Sequence, residues 1–169
     1  MRDVLYSCVS DLTRDGQGSG VGVNEQFAEK MSERDVAKDT RLLGDFAGIY
    51  CKGNHPDASR GPLVSDGAAL GVYGRRVPEV CTDCAELLAY AEKRRAFCPR
   101  DPKPFCSYCD THCFRPQMRE QMRDVMKYSG PRSVVRGHAI DSVKHLVAGR
   151  QAKREFEARS ADTTPKQQR

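Results

Sequence analysis

At 169 residues the chain is long enough for one domain with tails and too short for two substantial cores. Only 38% of residues are hydrophobic, none is tryptophan and 30% are charged, so the core must be thin and needs a second source of stability. The net charge of +5 hides an asymmetry, because residues 1–92 carry 10 Lys+Arg against 15 Asp+Glu while residues 93–136 carry 11 against 4.

Residues 1–26 contain DGQGSGVGVN, a Gly/Ser segment without periodicity that reads as a flexible lead. This N-terminus is acidic and has no signal-peptide core, and no later stretch has the length of a membrane span. The expectation is a cytoplasmic monomer with no membrane partner. From Glu25 to Cys51 the apolar residues Phe27, Met31, Val36, Leu42, Leu43, Phe46, Ile49 and Tyr50 recur mostly at three- and four-residue steps, which predicts one amphipathic helix stopped by Gly53 and Pro56. Residues 56–78 are rich in Gly and Pro and predict a long loop.

A second helix is signalled by DCAELLAYAEKRRAF, with Asp83 as cap and Glu86 in capping-box spacing; Pro99, Pro102 and Pro104 end it. Pro116 suits the first turn of a third helix with Met118, Met122, Val125 and Met126 on its apolar face, terminated at Gly130-Pro131. A fourth helix is predicted over His138 to Val147, with Ile140, Val143 and Leu146 or Val147 facing inward, followed by a charged tail over 150–169. The fold class expected is mainly α: a small domain of about four helices over residues 27–149, with a Cys-rich metal-binding centre and flexible ends.

Cysteine carries the chemical signal. In a reducing compartment the eight cysteines argue for metal ligation or redox chemistry rather than disulfides. Two CxxC units, Cys81/Cys84 and Cys106/Cys109, each aim two thiolates at one ion from a tight turn. Cys51 with His55, Cys98 and Cys113 bring the candidate ligands to eight, enough for two closed tetrahedral zinc sites. Two partitions compete. Either Cys51, His55, Cys81 and Cys84 form one site and Cys98, Cys106, Cys109 and Cys113 another, or the two CxxC units share a single ion. Zinc is preferred, as one or two ions, and an iron-sulfur cluster is the alternative. Cys8 stands alone in the lead, His112 reads as a bystander beside better ligands, and His138 and His145 have no sulfur neighbours in sequence.

Arg94, Arg95, Arg100, Lys103, Arg115, Arg119 and Arg123 surround the cysteines. They read first as counter-charge for thiolate-bound metal and second as a nucleic-acid footprint, although no DNA-reading helix or stacking platform accompanies them. No nucleophile elbow, phosphate loop or HExxH is present, so a non-enzymatic protein is expected.

The series IYCKGNH, CTDCAELLAYAEKRRAFCP, KPFCSYCDTHCFRPQMREQMRDVMKYSGPRS and HAIDSVKHL resembles the nitrous oxide-stimulated promoter family of small bacterial proteins, over about Glu33 to Val147. Seven cysteines, His55, His112, Arg119, Met126, Gly130, Pro131, Arg132 and His145 fall on family positions. Two features depart from the pattern: a longer, Gly-rich stretch between His55 and Cys81, and Ser133 in place of a bulky apolar residue. The resemblance raises His145 to a packing or supporting role. It implies a nitrosative-stress context and no established reaction. The function expected is therefore a metal-binding protein of a nitrosative or oxidative stress response, with a nucleic-acid-binding zinc regulator and an iron-sulfur protein or electron carrier as alternatives.

Overall fold

The computed structural model describes residues 23–101, 103–133 and 139–162, with 139–146 and 160–162 given by their backbone alone. The chain is mainly helical. Its described helices are α1 (Glu25–Ser32), α2 (Arg34–Asn54), α3 (Asp66–Ala69), α4 (Thr82–Ala96), α5 (Pro116–Ser133) and α6 (Ala139–Asp162). Two short strands, β1 (Gly61–Pro62) and β2 (Glu79–Val80), and a 3-10 turn (Cys106–Tyr108) complete it.

The single helix expected over Glu25 to Cys51 is two. Asn24 caps α1 by accepting from the N–H groups of Gln26 and Phe27, and the chain turns extended at Glu33, with φ −63° and ψ 128°. The break lets Phe27 and Met31 of α1 fold against Val36 of α2, with Val72 and Ala96 closing this small apolar cluster. Helix α2 then runs through Gly53 to Asn54, past the expected stop. It is the central element, packed on α1, α4, α5 and β2.

The loop expected over 56–78 contains structure of its own. Antiparallel pairing of Gly61 with Val80 and Pro62 with Glu79 ties its ends together, extended by Leu63 N–H donating to the Pro78 carbonyl at 2.8 Å. Between the strands, α3 begins at Ser65, whose Oγ accepts from Ala68 N–H. The segment is strapped to α4 by the buried Glu92 carboxylate, which accepts from Tyr73 Oη at 2.5 Å, Ser65 Oγ at 2.8 Å and Gly67 N–H at 3.2 Å. Burial holds the Glu92 carboxyl above its ordinary range despite these three donors. A carboxylate with every donor satisfied fixes a Gly-rich segment that has little apolar surface to bury.

Helix α4 starts two residues earlier than expected, with Cys81 rather than Asp83 at the cap. Helix α5 begins at Pro116 as expected but passes Gly130-Pro131 and continues to Ser133, the last residue described in that stretch. The proline costs one hydrogen bond two residues before Ser133, and Arg132 Nη1 donates to the nearby Tyr128 carbonyl at 2.8 Å. On its inner face Val125 is buried, but so are Ser129 and Ser133, while Met126 is exposed. Ser129 Oγ donates to the Phe46 carbonyl of α2 at 2.7 Å, tying the two helices together, and Ser133 Oγ donates to Gly130 O of its own helix at 2.7 Å, so both buried hydroxyls are satisfied on backbone. That is why serine suits position 133.

Helix α6 extends to Asp162, well into the expected tail. Val147, expected to face inward, is 59% exposed, and the side chains of Ile140, Val143, His145 and Leu146, with all of His138, lie outside the described residues. No helix among the described residues is long and apolar enough to cross a membrane.

Gly44 tests the α2 packing. A Cβ there would meet Tyr73 Cε1 at 2.6 Å and Pro78 Cγ at 2.8 Å, whereas at Gly48 it would meet nothing within 4 Å. Gly44→Ala is expected to destabilise by about 1–3 kcal/mol through overpacking. Gly48→Ala should stabilise by up to about 1 kcal/mol from helix propensity alone. Urea unfolding of the two variants beside the parent checks both signs.

Candidate metal centre

Two helix ends meet inside the larger apolar cluster, which includes Ala47, Cys51, Leu63, Tyr73, Val80, Cys81, Cys84 and Leu88. Cys51 lies in the last turn of α2, and His55 follows at its C-cap, with His55 N–H donating to the Cys51 carbonyl at 3.0 Å. Cys81 is the N-cap of α4 and Cys84 lies in its first turn. The β1–β2 pairing carries the chain from one helix end to the other, which is how a 25-residue gap between His55 and Cys81 still delivers both to one point.

The donor atoms of Cys51, His55, Cys81 and Cys84 all lie within 4.8 Å of one another. His55 Nδ1 is 3.1 Å from Cys81 Sγ and 3.4 Å from Cys84 Sγ. Around a tetrahedral zinc ion, bond lengths near 2.3 Å to sulfur and 2.0 Å to nitrogen place such N and S atoms roughly 3.5 Å apart. Three thiols and one imidazole facing each other at this spacing, with Cys51 fully buried and Cys81 and Cys84 nearly so, fit a closed four-ligand metal site.

The electrostatics point the same way. Burial pushes the Cys51 thiol up, but hydrogen bonds from Cys81 N–H at 3.2 Å and from the Cys81, Arg60 and Cys84 side chains bring it below its ordinary value. Burial, the hydrogen bond with Cys81 and the charges of Cys51 and Cys81 drive the Cys84 thiol far upward. Deprotonation is thus eased at Cys51 and opposed at Cys84, so a full set of thiolates demands a cation. The N-terminus of α4 adds its partial positive charge beside Cys81 and Cys84.

Arg60, which carried no signal in the sequence, organises the rim. Its guanidinium donates to the carbonyls of Cys51, His55 and Pro56, so one side chain closes the α2 C-terminus around both ligands and faces the Cys51 sulfur. Tyr50 packs edge-on against His55 with ring centroids 5.6 Å apart, and Tyr128 of α5 packs edge-on against Tyr50 at 5.8 Å. A Cβ on Gly53 would lie 1.9 Å from Tyr128 Oη, so only glycine lets α5 cover this corner.

The remaining candidates form no such group. Cys106 is exposed and Cys98, Cys109 and Cys113 are half-buried. Among the described residues no three of them bring their sulfurs within 4.8 Å of each other. They are nonetheless neighbours: burial, then the charges of Cys106, Cys98 and Cys109, push the Cys113 thiol up, with Arg94 opposing. His112 is exposed with a left-handed backbone, φ +47°, and Cys8 lies outside the described residues. Of the basic cluster, Arg95 pairs with Asp39 at 2.6 Å, Lys103 with Asp39 at 3.8 Å, Arg100 with Asp110 at 2.6 Å and Arg123 with Glu120 at 2.8 Å. Most of that charge is spent inside the molecule.

A family model described as nitrous oxide-stimulated promoter matches residues 34–158, from the first residue of α2 deep into α6. The chain belongs to that family. The uncharacterized protein YgbA of Escherichia coli (strain K12) is 34% identical over 82 residues, covering 46% of this chain and 69% of the relative. No solved structure matches. The matched span holds both cysteine groups and Arg60.

Replacing Arg60 by Ala removes a donor from three carbonyls and the cation that faces the Cys51 sulfur. Loss of such a supporting contact costs about 10- to 100-fold in metal affinity in comparable sites, and a weakening of that order is expected here. Competition with a chromogenic chelator measures it, with Arg41→Ala as the exposed-arginine control.

Proposed function

We propose that this chain is a non-enzymatic, cytoplasmic zinc protein of a nitrosative-stress response, in which Cys51, His55, Cys81 and Cys84 hold one ion that organises the fold. The reading is carried by one observation: four donors from two helix ends converge in the middle of the apolar cluster. Zinc is preferred to an iron-sulfur cluster because one of the four donors is an imidazole, whereas an all-thiolate set would not discriminate. Four protein ligands would fill a tetrahedral ion and leave no open position for substrate, which favours a structural or sensing role over catalysis. The stress context is supported by the family description, and by the general susceptibility of metal-bound thiolates to nitrogen oxides.

The pairing of Arg95, Arg100, Lys103 and Arg123 with acidic partners argues against the nucleic-acid regulator. A residual footprint would also need a row of unpaired cations along one face.

Anaerobic purification followed by elemental analysis and a visible spectrum tests the reading. A colourless protein with zinc bound is expected; a brown, iron- and sulfide-containing protein would replace zinc with a cluster, and a folded metal-free monomer would end both. Cys81→Ser should lose the ion from this centre and most of the helical circular dichroism, since structural zinc contributes on the order of 10 kcal/mol, comparable with a whole domain's stability. Cys8→Ser should leave both unchanged.

A further inference from the structure

The four described cysteines outside the buried centre lie in three segments that the fold holds side by side. Cys98 follows the C-terminus of α4, Cys106 and Cys109 bracket the 3-10 turn, and Cys113 precedes α5. Arg100 fastens the first segment to the others, donating to Asp110 Oδ1 at 2.6 Å and to Thr111 Oγ1 at 3.2 Å. Within the turn Cys109 N–H donates to the Cys106 carbonyl at 3.4 Å, the compact form of a CxxC unit. His112, in the left-handed region, reverses the chain between Cys109 and Cys113.

The loop is also anchored on both flanks. On one side Phe114 packs edge-on against Tyr90 of α4 at 5.4 Å, and Arg115 N–H donates to Tyr90 Oη at 2.9 Å. On the other, Tyr108 packs against Phe156 of α6 with ring centroids 5.7 Å apart. The Cys113 sulfur has those of Cys98, Cys106 and Cys109 as its electrostatic neighbours, with Arg94 as the nearby cation. Arg94 stacks over Tyr90 at 4.8 Å and keeps a buried Nε without a hydrogen-bond partner. Arg94 is thus the cation facing the Cys113 sulfur, and none of the four sulfurs belongs to an apolar cluster.

We propose that Cys98, Cys106, Cys109 and Cys113 form a second site, independent of the first, for a thiophilic divalent cation such as zinc. The ion draws the four sulfurs together, and Arg94 offsets part of the double negative charge that four thiolates leave around it. Because Cys106 is exposed and the others are half-buried, this site opens to solvent and releases its ion more readily than the buried centre. The inference concerns different residues from the buried Cys51 centre and stands or falls separately.

Full-length protein purified anaerobically with zinc, counted by native mass spectrometry and challenged with a chromogenic chelator, tests it. Two ions per chain are expected, released in a fast and a slow phase. The double variant Cys106→Ser, Cys109→Ser should keep its helical signal, carry one ion and lose the fast phase. One ion in the parent, retained by that double variant, would overturn the second site and leave the buried centre intact. One ion lost from that variant but kept by Cys51→Ser would uphold the second site and overturn the first. One ion lost from both variants would mean a shared site and overturn the independent pair. X-ray absorption of the unmutated protein decides the matter even if a variant misfolds: a mean sulfur count midway between three and four per zinc supports two sites, and three sulfurs per zinc overturns the second.

Discussion

The meeting point of α2 and α4 is built on four polar side chains sitting where a larger protein would place leucines. Cys51, Cys81 and Cys84 belong to the main apolar cluster, and His55 lies at its edge. Without their mutual contacts the buried part of that cluster is reduced to Ala47, Leu63, Tyr73, Val80 and Leu88, fringed by half-buried Leu43, Tyr50 and three alanines, a small apolar set to weigh against the ordering entropy of the surrounding helices. The second cluster, built on Phe27, Met31, Val36, Val72 and Ala96, clamps α1 to α2 and reaches only the C-terminal end of α4, away from Cys81 and Cys84. A cation at the convergence point would therefore act as core. Its attraction for thiolates replaces dispersion between methyl groups, and a composition low in apolar residues becomes workable.

The same constraint explains how glycine, proline and buried polar groups are used. The segment between His55 and Cys81 must leave one helix end and return to another within a few ångströms. It does so by pairing its own ends at β1 and β2, then fixing the excursion between them through Glu92. A fully bonded carboxylate does this work because the excursion contributes mainly Leu63, Val72 and Tyr73 to the buried set. Arg60, one residue before β1, is placed against the Cys51 and His55 carbonyls by that pairing.

How much of this was legible in the sequence follows from the range of each interaction. Helix-forming periodicity is local, so α2, α4 and α5 could be read, and CxxC spacing announced Cys81/Cys84 and Cys106/Cys109 as units. The break at Glu33 could not, because the three- and four-residue rhythm continues across it and only tertiary packing of Phe27 on Val36 and Ala96 selects the bend. The end of α5 was misjudged because a proline near a helix C-terminus forfeits one bond and can be tolerated. Which cysteines share a point was undecidable from spacing: it rests on a strand pair of two residues each and on Arg60 and Glu92, whose partners lie up to 27 positions away. Ser129 and Ser133 gave no such signal, because their burial shows only once α5 lies on α2, where Ser129 finds the Phe46 carbonyl and Ser133 bonds back to Gly130 of its own helix.

The two sulfur groups differ in the property that governs thiolate chemistry, access. A nitrogen oxide or an exchanging ligand must reach the sulfur or the ion. Cys51 is fully buried beneath Arg60 and the Tyr50–Tyr128 pair, so attack there requires the helix ends themselves to separate. Cys106 already faces solvent, on a loop held by one arginine clamp and two aromatic contacts. If both groups bind metal, the buried one is suited to keep the fold and the exposed one to respond, because opening the first costs tertiary structure while opening the second costs only the loop. The contact of Tyr108 with Phe156 gives such a response a route, since disturbing the turn disturbs the seat of α6. A protein with so little apolar surface can afford a reactive cluster only where its loss does not unmake the core. That placement, at the far end of α4 from Cys81 and Cys84, is the one found.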